Sequence, residues 1–244
     1  MKIITLHNSQ YKHYNKTLMQ KIKHKLFVLK TIRNFNIITT VSSHMKDYLE
    51  RSLAIEVIHI PNGIDRNIFF NRNLGKEKMI LYVGRLVDFK GVPILFKLAK
   101  KLKDYNFVFI GEGPLKDSIT LDNVKFLGKK NSQEVGEFYN KSAYALFLSK
   151  YENFPLVGLE AMACGAIVIT SSIPGFKEYV ENGNNGFLIN NLDLESLLDT
   201  FSKIDSRDDL DTIKLNAQET ANQYSLDKIA ENYINLFNAN LIKN

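Results

Sequence analysis

The sequence predicts an α/β fold, a parallel β-sheet covered on both faces by helices. Two observations carry this. Short runs rich in β-branched residues alternate with stretches of helical hydrophobic spacing, and Gly, Pro and Asn punctuate the joints between them. The chain also has enough apolar material for the purpose: 244 residues, 45% hydrophobic and 24% charged, suit one large or two modest domains.

In chain order, strands are expected at residues 3–6, 37–41, 57–60, 79–83, 107–110, 124–126, 144–148 and 167–170. Helical patterns fall between them, for example at 92–103, 132–140 and 155–163. From Asp193 onward the chain reads as helical. Ser225 is placed to cap the last helix, and Leu226, Ile229, Tyr233, Leu236 and Phe237 are expected to form its buried stripe. Pro61-Asn62-Gly63 is a natural joint, because proline fixes one backbone angle and glycine frees another. The expected division is therefore 1–60, 61–224 and a C-terminal helix, 225–244, packing back toward the N-terminal part.

Several classes are disfavoured. Cys164 is the only cysteine, which rules out a disulfide framework within the chain. Its neighbours Ala161, Met162, Ala163 and Gly165 suggest a small buried core residue, and nothing here needs an oxidising compartment. A cytoplasmic location is expected. No run of 18 apolar residues occurs, and the apolar N-terminal run is too short for a signal peptide. The net charge of +6 is uneven: Lys12, Lys16, Lys21, Lys23, Lys25, Lys30 and Arg33 precede or fall before the first acid, Asp47. Leu18, Ile22, Leu26 and Leu29 recur there at helical spacing. Residues 12–33 read either as a helix resting on an anionic inner membrane face or as a solvated helix with one packed face. No nucleic-acid motif accompanies the charge.

Four segments carry chemistry. In the first, a strand ends at Gly84, and a helix begins near Gly91 with Pro93 in its first turn. Arg85 and Lys90 flank the connecting loop, where backbone N–H groups and the helix dipole would add to their charge on an anion. Arginine can grip two phosphate oxygens at once, while lysine acts as a point charge. Taken alone, the pair reads more readily as two solvated surface charges. The second is Gly111-Glu112-Gly113-Pro114. A dinucleotide fingerprint fails here because its third glycine would fall at Lys116, and a tight strand-to-helix turn is expected instead.

In the third, a loop carrying Glu152 leads into a helix opened by Pro155, with Glu160 about five residues inside. Loop amides of Asn153, Phe154, Pro155 and Leu156 are expected to face a cleft, and the two carboxylates would accept from hydroxyls. Because Val157, Leu159, Ala161, Met162 and Ala163 bury this helix, Glu160 needs a partner. The fourth covers Ser171 to Tyr179 and the Asn-Gly turn at 182–186, which alone is uninformative.

Together these segments resemble glycosyltransferase family 4. The Glu-x7-Glu element from Glu152 to Glu160 is the most specific match, and Gly84-Arg85 with Lys90-Gly91 is the second. Pro61-Asn62-Gly63, Gly111-Glu112-Gly113-Pro114 and Gly183-Asn184-Asn185-Gly186 fit in the same order. The resemblance spans residues 3–236. It implies a GT-B type fold with one complete Rossmann-like C-terminal domain and a partial N-terminal one, since the family's glycine-rich early region is absent here.

The resemblance also implies roles. Gly84, Arg85 and Lys90 would hold a donor diphosphate, Glu160 would accept from the ribose, and Glu152 would meet the sugar with the loop of Asn153, Phe154, Pro155 and Leu156. Gly111 would let the ligand approach, Leu127 would lie against the base, and His7 would face the sugar from the other domain. Catalysis would fall to Glu152, Arg85, Lys90 and His7, with retention of configuration and no cofactor or metal. The donor implied is a UDP-sugar, and the acceptor a glycan or lipid-linked intermediate of surface polysaccharide, lipopolysaccharide or capsule. The alternative is an inactive nucleotide-sugar-binding subunit of a split enzyme, with a partner chain supplying the rest.

Overall fold

The computed structural model describes residues 2–7, 28–116 and 118–241. It divides into two compact units: Met1–Asn62 with Ile229–Asn244, and Gly63–Lys228.

In the first unit, three parallel strands, β1 (Ile3–Leu6), β2 (Ile37–Thr40) and β3 (Ile58–His59), lie in the order β1-β2-β3. Ile3 sits opposite Ile37, and Thr39 opposite Ile58. Strand β3 is shorter than the expected 57–60. It pairs at only two positions before Pro61, which has no N–H to offer a ladder. Helix α1 (Ser43–Leu53) buries Met45 and Leu49 against Val57. The Thr39 hydroxyl donates to that of Thr5 at 2.8 Å, which lies 3.3 Å from the Tyr233 hydroxyl. Of the basic stretch, residues 28–32 are helical and bury Val28 and Ile32, with Lys30 and Arg33 exposed. Residues 8–27, which carry most of its lysines, lie outside the described residues.

The second unit holds a six-stranded, all-parallel sheet in the order β6-β5-β4-β7-β8-β9. Its strands are β4 (Glu77–Val83), β5 (Asn106–Ile110), β6 (Val124–Phe126), β7 (Ser142–Phe147), β8 (Ile167–Ser171) and β9 (Phe187–Ile189). Between and after them run α2 (Val92–Lys101), α3 (Ser132–Lys141), α4 (Leu156–Ala163), α5 (Pro174–Lys177), α6 (Leu194–Asp205) and α7 (Leu210–Gln223). Strand residues Ile80, Phe109, Leu146 and Ile169 pack with Leu95 and Leu98 of α2 and Phe201 and Ile204 of α6 in one core. The strand order reverses between β4 and β7, so the loops leaving these two neighbours open side by side. Ligand crevices of parallel sheets form at such a reversal.

The α/β expectation holds, with local corrections. Helix α2 stops at Lys101 rather than 103, where the Asn123 side-chain amide takes the carbonyls of Ala99, Leu102 and Tyr105 at 3.1, 3.2 and 3.1 Å. No helix follows Gly111 among the described residues before β6. The segment is pinned to the neighbouring loop instead, with the N–H of Leu115 on the carbonyl of Leu86 at 3.1 Å. Strand β9 was not anticipated, because three residues are too few to show alternation. In the last helix, α8 (Leu226–Leu241), Ile229 is buried and Tyr233 and Leu236 are half-buried, but Leu226 and Phe237 are 49% and 40% exposed. At 3.6 residues per turn these two lie roughly 60° and 80° round the helix from Ile229, on the flank of the packed face. Among the described residues no helix is long and apolar enough to cross a membrane.

Candidate functional site

The loop leaving β4 is fixed by its neighbours. Gly84 donates its N–H to Ile110 and Leu86 donates to Glu112, both at 2.9 Å. A short turn at Asp88–Lys90 ends on Gly91, the N-cap of α2, at φ 76°. A side chain at Gly91 would be strained by that angle and would collide with the Leu148 carbonyl, so glycine is what lets the two loops close up. The N–H of Lys150 donates to the Phe89 carbonyl at 2.9 Å, and the Lys150 ammonium reaches Asp88 at 2.7 Å. The latter pair is exposed and contributes little.

Where the loops meet, Lys90 and Glu152 form a close ion pair, with side chains 21% and 19% exposed. The Ser149 hydroxyl donates to the same carboxylate oxygen, Oε1, at 2.9 Å. Among the described residues nothing donates to Oε2. Behind this, the Ser171 hydroxyl donates to the Ser149 carbonyl at 2.6 Å, with both serines buried. Gly175 presses on the Glu152 carbonyl so closely that any side chain there would collide with it. Arg85 is exposed, and among the described residues its guanidinium has no hydrogen bond or ion pair.

Helix α4 begins after Pro155, which is its N-cap and supplies no side-chain cap. The first N–H groups of α4 therefore lack helical partners and suit negative charge. Proline itself has no N–H, so Pro155 cannot be one of the donating amides expected between Asn153 and Leu156. Its contribution is a carbonyl, which accepts from the buried Tyr179 hydroxyl at 2.5 Å. The ring of Phe154 packs on Tyr179 and Tyr224 at 5.6 and 5.4 Å, holding the loop down.

Glu160, on the second turn of α4, is half-buried. Its carboxylate has no hydrogen-bonding partner among the described residues, while its backbone carbonyl accepts from Cys164 at 3.3 Å. Burial pushes its carboxyl up to about 7. Tyr139 and Tyr179 are fully buried, and their hydroxyls are held well above the ordinary value. Burial is the main cause for both, followed by the Glu160 charge for Tyr139 and the Glu152 and Glu160 charges for Tyr179. Both carboxylates thus lie within electrostatic reach of Tyr179. At the far end of α4, Lys76 donates to the carbonyls of Cys164 at 2.9 Å and Tyr139 at 3.2 Å, a cation at the C-terminal ends of α4 and α3. Burial lowers its ammonium to about 8. Cys164 is fully buried, as expected, and burial pushes its thiol up to about 12.

Gly111 joins the same edge of the sheet, its N–H on the Gly128 carbonyl at 2.8 Å, and Leu127 donates to Phe109 at 2.9 Å. The second unit thus carries Gly84, Arg85, Lys90, Gly111, Leu127, Glu152, Asn153, Phe154, Pro155, Leu156 and Glu160 on loops and one helix beyond the carboxyl ends of its strands. His7 is an exposed residue just after β1 and belongs to the first unit. Ser149 and Lys76 support the site and were not singled out from the sequence; Ser171, Gly175 and Tyr179 also support it and fall in the fourth segment, which alone was uninformative. The signal for Ser149 was its place just after an apolar strand. Among the described residues, no three His, Cys, Asp or Glu side chains gather as a metal cluster.

The sequence matches the Glycosyl transferases group 1 family over residues 64–220. It is 31% identical over 234 residues to an uncharacterized glycosyltransferase of Methanocaldococcus jannaschii, covering 93% of this chain and 65% of that protein. It is 31% identical over 183 residues to the N,N'-diacetylbacillosaminyl-diphospho-undecaprenol alpha-1,3-N-acetylgalactosaminyltransferase of Campylobacter jejuni, covering 71% of this chain and 48% of that one. The fold is similar to that of Anabaena HepE, solved in complex with UDP and glucose, at TM-score 0.80 and 19% identity, over 97% of this chain and 71% of the other.

Proposed function

The chain belongs to the group 1 glycosyl transferases, and from that premise we propose that its second unit binds a nucleotide-sugar and serves transfer of the sugar, with retained configuration, to a glycan or lipid-linked acceptor. The observation that carries this is the Lys90–Glu152 pair at the strand-order reversal, in a unit that also holds Arg85 and Glu160, whose side chains have no partner among the described residues.

Arg85 and Lys90 take the diphosphate, and the N-terminus of α4 adds its partial positive charge, so the site neutralises the leaving group without a divalent cation. Glu160 accepts from the ribose hydroxyls. Glu152 accepts from a sugar hydroxyl, and Gly111 and Leu127 line the base. In the transfer, the bond from the anomeric carbon to the phosphate oxygen breaks and the bond to the acceptor oxygen forms on the same face. The acceptor proton passes to the departing phosphate, which needs no protein base. UDP is the nucleotide of choice, by resemblance and by the ligand of the similar Anabaena structure. Surface polysaccharide, lipopolysaccharide or capsule intermediates are the acceptors of choice, by the lipid-linked substrate in the name of the Campylobacter relative.

Calorimetry of the purified chain with UDP, GDP and ADP, then with UDP-hexoses, all without metal, tests the donor site. Failure of the folded chain to bind any of them overturns it. Proton NMR of a product's anomeric coupling tests retention. The chain spans 65% of its archaeal relative and 48% of the Campylobacter one; the second reading is the one the sequence also offered, an inactive nucleotide-sugar-binding subunit of a split enzyme. UDP-hexose binding without any transfer would favour that reading. We place the protein in the cytoplasm, with residues 12–33 touching the inner membrane face. Co-sedimentation with anionic but not neutral vesicles checks that contact.

A further inference from the structure

We propose that Ser149 is a positioning residue that keeps Glu152 in place when Lys90 turns to the diphosphate. This rests on the donor-site reading above.

Lys90 and Ser149 both donate to Oε1 of Glu152. The two anchors differ in what a nucleotide does to them. Lysine carries a compact charge on a flexible stem. A diphosphate brings more negative charge than one carboxylate, so it draws the ammonium away from Glu152 or shares it. Glu152 would then lose its charged anchor at the moment a sugar arrives. Ser149 is neutral and buried, and its carbonyl is held by Ser171, which closes β8. It gains nothing from a phosphate and stays where it is. With Ser149 on Oε1, no described residue donates to Oε2, which can accept from a sugar hydroxyl. The division of labour is that Lys90 serves the nucleotide and Ser149 serves the sugar through Glu152.

The experiment titrates wild type, Ser149→Ala and Ser149→Thr with UDP and with UDP-glucose, and follows hydrolysis of UDP-glucose as a transfer surrogate. Ser149→Ala should leave UDP affinity within about twofold, while UDP-glucose turnover falls on the order of tenfold, the scale of one hydrogen bond to a charged group. Ser149→Thr, which keeps the hydroxyl, should restore turnover. Equal losses for UDP and UDP-glucose, or no loss in either, would overturn the proposal. Wild type that binds neither ligand would sink the donor-site reading itself, a different result from any of these. Should Ser149→Ala fail to fold, Ser171→Ala keeps the Ser149 hydroxyl and loosens only its backbone. A smaller loss of turnover at unchanged UDP affinity then supports the assignment, and unchanged turnover refutes it.

Discussion

Lys90 and Glu152 stand 62 positions apart in the sequence and meet in an ion pair about four-fifths hidden from solvent. They meet because β4 and β7 are neighbours at the reversal of strand order, and each residue sits on the loop its strand feeds. Deleting one partner leaves the other charge partly buried and unpaired. Lys90→Ala is therefore expected to lower stability by about 1–3 kcal/mol in urea unfolding, less than for a fully buried pair. Replacing both residues should recover part of that loss. Additive losses would mean that the pair is not coupled.

Arg85 should behave in the opposite way. It is exposed and its guanidinium has no partner among the described residues, so Arg85→Ala is expected to change stability by less than about 0.5 kcal/mol. Its affinity for UDP should fall on the order of tenfold, the loss shrinking as salt is raised. Unchanged UDP binding by calorimetry would remove Arg85 from the phosphate site.

Glu160 makes two pH predictions. Burial raises its folded-state pKa from the ordinary carboxylate value to about 7. The folded protein therefore binds the extra proton between about pH 4.5 and 7, and stability from this group is present below that window and lost as pH rises through it. Glu160→Gln abolishes this dependence, so at pH 8 the variant should be the more stable protein, by at most about 3 kcal/mol. Ribose hydroxyls donate to the ionised form, so wild-type UDP affinity should rise with pH through about 7 and the variant's should stay flat. Parallel curves for the two proteins would contradict the role.

Gly91→Ala tests the contact between the loops. The new methyl would meet the Leu148 carbonyl at a backbone angle that disfavours alanine, and an expected cost of about 1–3 kcal/mol follows. Because the same contact aligns Lys90 with Glu152, UDP affinity should fall with stability. Loss of stability with full affinity would show that the site tolerates separation of the loops.

Most of the sheet was legible because buried parallel strands write themselves as apolar runs. Five boundaries of the six-stranded sheet moved by a residue or two, and β9 was missed because three residues hold no period. The side chains proposed to meet the ligand were legible as a set, since charged residues beside glycine and proline at strand ends stand out. Their partners were not. The bond of Ser149 to Glu152 follows from a rotamer, the bond of Ser171 to the Ser149 carbonyl follows from strand adjacency, and the carbonyls held by Lys76 come from two different helices. No spacing in one dimension encodes such meetings. Glu160 shows the same limit from the other side: the sequence implied burial but could not reveal that no described side chain pairs with its carboxylate.

Helix α4 is only about 12 Å long at 1.5 Å per residue, yet it is bolted at both ends. Tyr179 and the ring of Phe154 hold the entry, and Lys76 holds the exit. A platform fastened in this way loses its mobility during folding, long before any ligand arrives. Its N-terminal amides then present a surface already set in shape, so for the proposed nucleotide-sugar the ordering cost would fall on the ligand and on Arg85 rather than on this stretch of backbone.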